Sequence, residues 1–289
     1  MIISIVRILL VIVLNHIFVF PILMKMENGD LKLMPRELKT SKGTWSYHTG
    51  HSGEKAILFI HGASSSSRIW KYQQNLKIEG YKTIYVDLLG YGNSDKPQEG
   101  YSLQTWIDGI HAILEQEEVK EVVFVAHSNG VILAKEFYRK HPKSVLKMIL
   151  VDGMLKQMIQ PPMLEWMKSQ LERSDYENFM QNSIQQMPVQ GLQENDIEIL
   201  KEDALNTPKP ITIAEFDMVG NPDTWHKLIM ECPVTIIHSN NPLWNQEYIA
   251  WLAEVVPKLD FLQWDDSGHF VPLQFPDRLN DVILDLTKK

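Results

Sequence analysis

From residue 31 onward, short runs of apolar and β-branched residues alternate with segments whose apolar positions recur every three or four residues. Segments 56–61 (AILFIH), 82–87 (KTIYVD), 121–127 (EVVFVAH), 147–152 (KMILVD), 233–239 (PVTIIHS) and 260–265 (DFLQWD) are near-continuous apolar runs. Strands of a parallel sheet covered on both faces have this character, because neither side meets water. An earlier segment, 44–47, predicts an antiparallel edge strand. Between the runs, the segment from Ser102 gathers Leu103, Trp106, Ile107, Ile110, Ile113 and Leu114 on one helical face, with acidic residues at 115–118. Ile249, Leu252, Val255 and Val256 repeat the pattern before Pro257 stops the helix. Alternating strands and helices predict an α/β domain, a mostly parallel sheet flanked by helices.

The alternation breaks between Asp152 and Pro233. That stretch is helical by pattern and punctuated by Pro161, Pro162, Pro188, Pro208, Pro210 and Pro222. It holds Met154, Met158, Met163, Met167, Met180, Met187, Met218 and Met230, the larger part of the chain's 13 methionines. A helical insertion between two strands predicts a cap over the carboxyl end of the sheet, where open α/β sheets bind ligands. Methionine suits either a pliable pocket wall or core filling. The expected organisation is a core of 26–153 and 231–289 with a cap of 154–230.

Residues 1–25 stand apart. Positions 1–24 are apolar except Ser4, Arg7, Asn15 and His16, and Lys25 follows. The stretch is roughly long enough to span a bilayer as a helix. Arg7 followed by residues 8–14 also has the form of a signal peptide, without a small-residue cleavage site after it. The expectation is a signal or membrane anchor, hence a membrane-associated or exported protein. Translation starting at Met24 or Met26 would instead make it cytoplasmic.

Composition narrows the chemistry. The net charge of −8 has no basic run to track phosphates, so nucleic acid is not an expected partner. Cys232 is the single cysteine, which rules out an intrachain disulfide and a thiolate metal site. The sequence holds no HExxH, no CxxC pair and no glycine-rich phosphate loop after a strand, so neither metal nor cofactor is expected.

Chemistry gathers at strand ends. Residues 121–130 read EVVFVAHSNG and lead into VILAKEFYRKHP, a strand, a small-residue turn and a helix. A nucleophile elbow needs that context: the turn strains the Ser128 backbone and lifts its hydroxyl above the sheet, with small residues Ala126 and Gly130 at its sides. Residues 59–63 read FIHGA, and a turn there can aim the Ala63 amide at a carbonyl oxygen held over Ser128. Together with the amide of Asn129, it would form an oxyanion hole. Ser64, Ser65, Ser66 and Ser67 read as a polar rim. His269, in Ser267-Gly268-His269 after the last predicted strand, is the candidate general base. His127 points the wrong way if its strand continues, His61 belongs to the oxyanion turn, and His238 lies at a strand end.

FIHGASSSS, DLLGYGNSD (87–95), VAHSNG, the helical insertion and DDSGHF (265–270) together resemble the α/β-hydrolase superfamily over residues 31–289. The resemblance implies the α/β-hydrolase fold with a helical cap, and structural turns at Asp87 and at 90–95. It also implies a carboxylate after the strand 233–239, where this chain has Asn240 and Asn241 in HSNNPLW. An amide can hold an imidazole but gives its cation no countercharge. Some members, notably haloalkane dehalogenases, place the acid at the strand end where this chain has Asp152. Asp152 is therefore the expected acid, with Asp265 and Asp266 as alternatives. A serine nucleophile argues against the epoxide hydrolases and haloalkane dehalogenases of similar architecture.

The expected activity is hydrolysis of an ester, lactone or thioester of a small to medium apolar acyl group through acyl-Ser128, with a small-molecule substrate as partner. Cleavage of a carbon–carbon bond next to a ketone would use the same residues. A ligand-binding protein of weak turnover is the third reading, favoured by the Asn pair and opposed by Ser128 and His269.

Overall fold

The computed structural model describes residues 33–285, so the apolar segment 1–24 lies outside the described residues. Eight strands form one sheet. They are β1 (Met34–Thr40), β2 (Gly43–Gly50), β3 (Lys55–Ile60), β4 (Tyr81–Val86), β5 (Glu121–His127), β6 (Val145–Val151), β7 (Val234–Ser239) and β8 (Leu259–Trp264). Their order is β1-β2-β4-β3-β5-β6-β7-β8. The first two pairings, β1 with β2 and β2 with β4, are antiparallel, and the others are parallel. The six strands predicted from apolar runs thus lie within two residues of their expected bounds.

The edge differs from expectation. The segment at 44–47 is an internal strand, because β1 pairs along its whole length on the outside. β1 (MPRELKT) is almost wholly exposed and carries Pro35, Arg36 and Lys39. Those are residues that protect a sheet edge from pairing further, and they erase the apolar pattern that marks a buried strand.

Helices cover both faces: α1 (Leu103–Gln116), α2 (Gly130–Lys140), α3 (Pro161–Arg173), α4 (Tyr176–Gln185), α5 (Glu194–Leu205), α6 (Lys209–Gly220), α7 (Gln246–Val255), α8 (Val271–Gln274) and α9 (Pro276–Leu284). The Ser102 hydroxyl starts α1 by accepting the Thr105 amide at 3.1 Å. The α1 face predicted from spacing buries Trp106, Ile107, Ile110, Ile113 and Leu114. Gly109 lets that face close on Trp45, whose ring would lie 2.0 Å from a Cβ there. Each large apolar side chain so buried contributes about 1.5–3 kcal/mol. Two apolar layers result, one on each face of the sheet.

Four helices, α3 to α6, run between β6 and β7 where the strand rhythm lapsed. The methionines between β6 and β7 divide. Met180, Met218 and Met230 are buried, whereas Met163 is 54% exposed. Among the described residues, no helix is long and apolar enough to cross a membrane.

Candidate active site

β5 is buried from Val122 to its end, and its ladder with β6 continues into the turn, where the Ser128 amide donates to the Val151 carbonyl at 2.9 Å. Asn129 then precedes α2 as its cap residue, so the chain must turn sharply at Ser128. Ser128 accordingly has φ 55°, in the left-handed region that non-glycine residues enter at a cost of about 1–2 kcal/mol. The turn after β3 presses against it. A Cβ on Gly62 would sit 2.7 Å from the Ser128 Cβ, and one on Gly130 would sit 2.7 Å from the His61 carbonyl oxygen. Small residues at these two positions are therefore a steric requirement of the elbow.

Asp152 follows β6 as Ser128 follows β5. Its amide donates to the Ile237 carbonyl at 2.8 Å, and its φ of 47° is also left-handed. Its carboxylate is fully used. Oδ1 accepts the Ser239 amide and the Trp244 indole N–H, both at 2.8 Å, while Oδ2 lies 2.6 Å from His269 Nδ1. Burial alone would raise this acid, yet the hydrogen bonds from His269 and Ser239 prevail and hold it down at about 2. An ionised carboxylate only accepts, so Nδ1 of His269 carries the hydrogen on that side and Nε2 faces Ser128. Nε2 lies 3.1 Å from Ser128 Oγ. The chain Ser128–His269–Asp152 is thus continuous.

The remaining histidines support the frame. His127 is buried under His269, ring centres 4.7 Å apart, and its Nε2 is 2.8 Å from the His269 carbonyl oxygen. The strand ends at His127, so its side chain is not carried away as it would be by a continuing strand, and it contacts His269 through the backbone carbonyl. Burial and the neighbouring His269 push His127 down to about 3, so the neutral ring donates from Nε2 to that carbonyl. His61 bridges two turns: its Nδ1 is 2.8 Å from the Gly62 carbonyl oxygen and its Nε2 accepts the Leu88 amide at 3.1 Å. His238 stacks on Trp244 at 4.1 Å, which fixes the indole against Asp152.

Asn240 is exposed, and the Asn241 side chain accepts the Leu243 amide at 3.0 Å within its own turn. Asp265 is exposed, and Asp266 pairs with Arg278 at 3.1 Å. Asp87 accepts the Ser67 and Asn93 amides at 2.7 and 2.8 Å, holding the loop after β4. Ala63 and Asn129 share the wall of a cavity of about 10 Å3 with Gly62, Gly130, Leu88, Trp106, Leu133 and Met218. That is room for a single water. Among the described residues, no group of His, Cys, Asp and Glu is arranged to hold a metal ion. Trp244 and His127 were not anticipated as site residues. The indole in HSNNPLW was the one visible hint, an aromatic with a polar handle just beyond a strand end.

The AB hydrolase superfamily protein YisY of Bacillus subtilis is 33% identical over 106 residues, which cover 36% of this chain and 39% of that protein. The chain spans about a third of the length of the curated relatives it matches, 29% of the first of them. Among solved structures, an esterase from Exiguobacterium antarcticum superimposes with a TM-score of 0.76 at 18% identity, covering 89% of this chain and all of that one. A Bacillus megaterium epoxide hydrolase gives 0.71 at 18% identity over 88% of this chain and all of that one. Structures so distant in sequence share the fold, and their differing reactions leave the bond cleaved undecided. The model of the alpha/beta hydrolase family matches residues 57–282, from β3 into α9. With the elbow, the sheet order and that match in agreement, the chain belongs to the alpha/beta hydrolase family.

Proposed function

We propose that the protein is a serine hydrolase cleaving an ester, lactone or thioester of a small to medium apolar acyl group. The observation that carries this reading is the hydrogen-bonded series Ser128 Oγ, His269 Nε2, His269 Nδ1, Asp152 Oδ2. Ser128 Oγ attacks the carbonyl carbon while its proton passes to His269 Nε2, and the buried Asp152 carboxylate stabilises the imidazolium. The carbonyl oxygen becomes an oxyanion beside the amides of Ala63 and Asn129. Collapse breaks the bond to the leaving group, which takes the proton from His269 and departs. A water then attacks acyl-Ser128, giving its proton to His269, and the acid leaves as the proton returns to Ser128 Oγ.

In this reading α3 to α6 form a cap that shapes the acyl pocket, supported by Met218 of α6 in the wall that also holds Ala63 and Asn129. The binding-only alternative rested on Asn240 and Asn241, and the Asp152 carboxylate 2.6 Å from His269 supports turnover instead. Epoxide opening on this fold uses a carboxylate nucleophile, which Ser128 does not supply. Carbon–carbon cleavage would share every step up to the leaving group. Treatment with a fluorophosphonate probe, followed by peptide mass spectrometry and an ester panel of graded acyl length, tests the proposal. The adduct is expected on Ser128 and is expected to be absent in Ser128→Ala; an adduct within 64–67 would overturn it.

Residues 1–24, outside the described residues, are proposed as the membrane or export segment. Fractionating full-length protein against a chain starting at Met26 tests this, and equal recovery of both in the cytosol would refute it.

A further inference from the structure

The loop that carries His269 meets the inserted helices through one side chain that the steps above leave unused. Gln274 closes α8 shortly after the base and is half-buried. Its Oε1 accepts the Gly268 amide at 2.6 Å, and its Nε2 donates to the Gln190 carbonyl at 3.0 Å. Gly268 immediately precedes His269, whereas Gln190 lies in the turn between α4 and α5. A single carboxamide therefore joins the base loop to the insertion. Both partners set its orientation, because an N–H needs the oxygen and a carbonyl needs the NH2. A carboxylate at 274 could serve only Gly268, and a hydrocarbon could serve neither.

The fit around this side chain is close. A Cβ on Gly191 would lie 2.9 Å from Gln274 Nε2, and the three atoms nearest to it would all belong to Gln274. A Cβ on Gly268 would meet Gln274 Oε1 at 3.4 Å and the Pro188 carbonyl oxygen at 3.7 Å. The turn 188–191 thus lies directly against the residue before the base. Other ties of the loop come from the sheet. The Asn240 amide, just after β7, donates to the Ser267 carbonyl at 3.2 Å, and His127 at the end of β5 holds the His269 carbonyl. Those contacts fix the loop to the core, and Gln274 fixes it to the insertion.

We propose that Gln274 is a positioning residue for His269: it fixes the Gly268 peptide and makes the placement of the base depend on the turn 188–191 of the inserted helices. The proposal rests on the acyl-Ser128 reading, in which His269 Nε2 takes the proton of Ser128 Oγ across 3.1 Å. The His269 side chain is 31% exposed, so packing alone leaves it room to move and its loop must hold it. Misplacing a reacting group by about 1 Å costs about 100-fold. Gln274 touches neither substrate nor the Ser128 hydroxyl in this account; it acts through the peptide before the base.

The experiment measures kcat and KM for p-nitrophenyl acetate, the rate of fluorophosphonate labelling and a melting curve. Wild type is compared with Gln274→Leu, Gln274→Glu, Gly191→Ala and the double variant Gly191→Ala with Gln274→Leu. Gln274→Leu is expected to lose about 10- to 100-fold in kcat, with KM little changed and labelling slowed in proportion. Gln274→Glu keeps an oxygen for Gly268 and is expected to stay within about threefold of wild type. Gly191→Ala pushes a methyl into the Gln274 amide from the insertion side, so about a 3- to 10-fold loss in kcat is expected, and no further loss on top of Gln274→Leu. Its left-handed φ of 81° also strains an alanine, which the melting curve registers. Wild-type kcat and labelling in a folded Gln274→Leu overturn the proposal. So does a Gln274→Glu enzyme as slow as Gln274→Leu, and so do losses that multiply in the double variant. If Gln274→Leu does not fold, Gly191→Ala decides, and wild-type kcat there overturns the proposal. Failure of wild-type Ser128 to label would instead remove the acyl-serine reading, and this proposal with it.

Discussion

Replacing Asp152 by Asn is the sharpest test of where the base obtains its charge. The Asp152 side chain is fully buried against His269 at 2.6 Å. When His269 takes the Ser128 proton, charge centres about 4 Å apart at an effective dielectric of about 20 interact by about 4 kcal/mol. Losing that alone corresponds to about a 10³-fold slower step. An amide adds a second penalty, because its NH2 can face Nδ1 and favour the tautomer with hydrogen on Nε2. The corresponding change in serine proteases costs about 10⁴ in kcat. The expected loss is therefore about 10³- to 10⁴-fold in kcat at nearly constant KM. Oδ1 of the amide can still accept from Ser239 and Trp244, so the fold is expected to persist. Steady-state kinetics with p-nitrophenyl acetate, normalised by a melting curve, measures the effect. A folded Asp152→Asn enzyme within about tenfold of wild type would refute the electrostatic reasoning.

Further outcomes follow from the same geometry. Asn240→Ala and Asn241→Ala are expected to keep kcat within about twofold, as expected of surface positions, measured by the same assay. Asp152 is held at about 2, below its unfolded value of about 3.9, so the stability gained from its ionisation is complete above about pH 5 and is lost as pH falls through about 2. Urea titrations should accordingly show a shallower loss between those limits in Asp152→Asn. Gly109→Ala improves helix propensity by about 1 kcal/mol but drives a methyl into the buried Trp45 ring, so a net loss of about 1–3 kcal/mol is expected in urea unfolding. Met218→Ala should enlarge the cavity beside Ala63 and shift preference towards longer acyl esters by about 10-fold or more, while the exposed Met163→Ala should not.

The parts of this fold visible in the sequence are those fixed by local rules. Runs such as EVVFVAH are buried on both faces and so read as strands, and the elbow shows itself through Ala126, Ser128 and Gly130 around a tight turn. β1 was hidden because an exposed edge carries no apolar rhythm. The site residues that sequence reading missed are joined only by tertiary contact. Trp244 meets Asp152 across 92 positions, and His127 meets His269 across 142. Asn240 and Asn241 drew attention to the end of β7, but the carboxylate lies one strand closer to Ser128. Met163, one of the methionines of the inserted stretch, is exposed, because helical spacing alone does not say which face finds a partner.

Ser128 and Asp152 follow the two strands of a single strand–helix–strand unit, β5-α2-β6, whereas His269 comes from the loop after β8. β8 pairs only with β7, and β7 is made only after all four inserted helices. A chain that folds from its N-terminus during synthesis therefore sets the turn at Ser128 first, whereas Asp152, bonded to Ile237, Ser239 and Trp244, is fixed only once β7 has docked. Until β8 docks, Ser128 Oγ lacks its contact with His269 Nε2. The order of the strands thus makes the contact between Ser128 and His269 wait on β8, the last strand of the sheet in chain order.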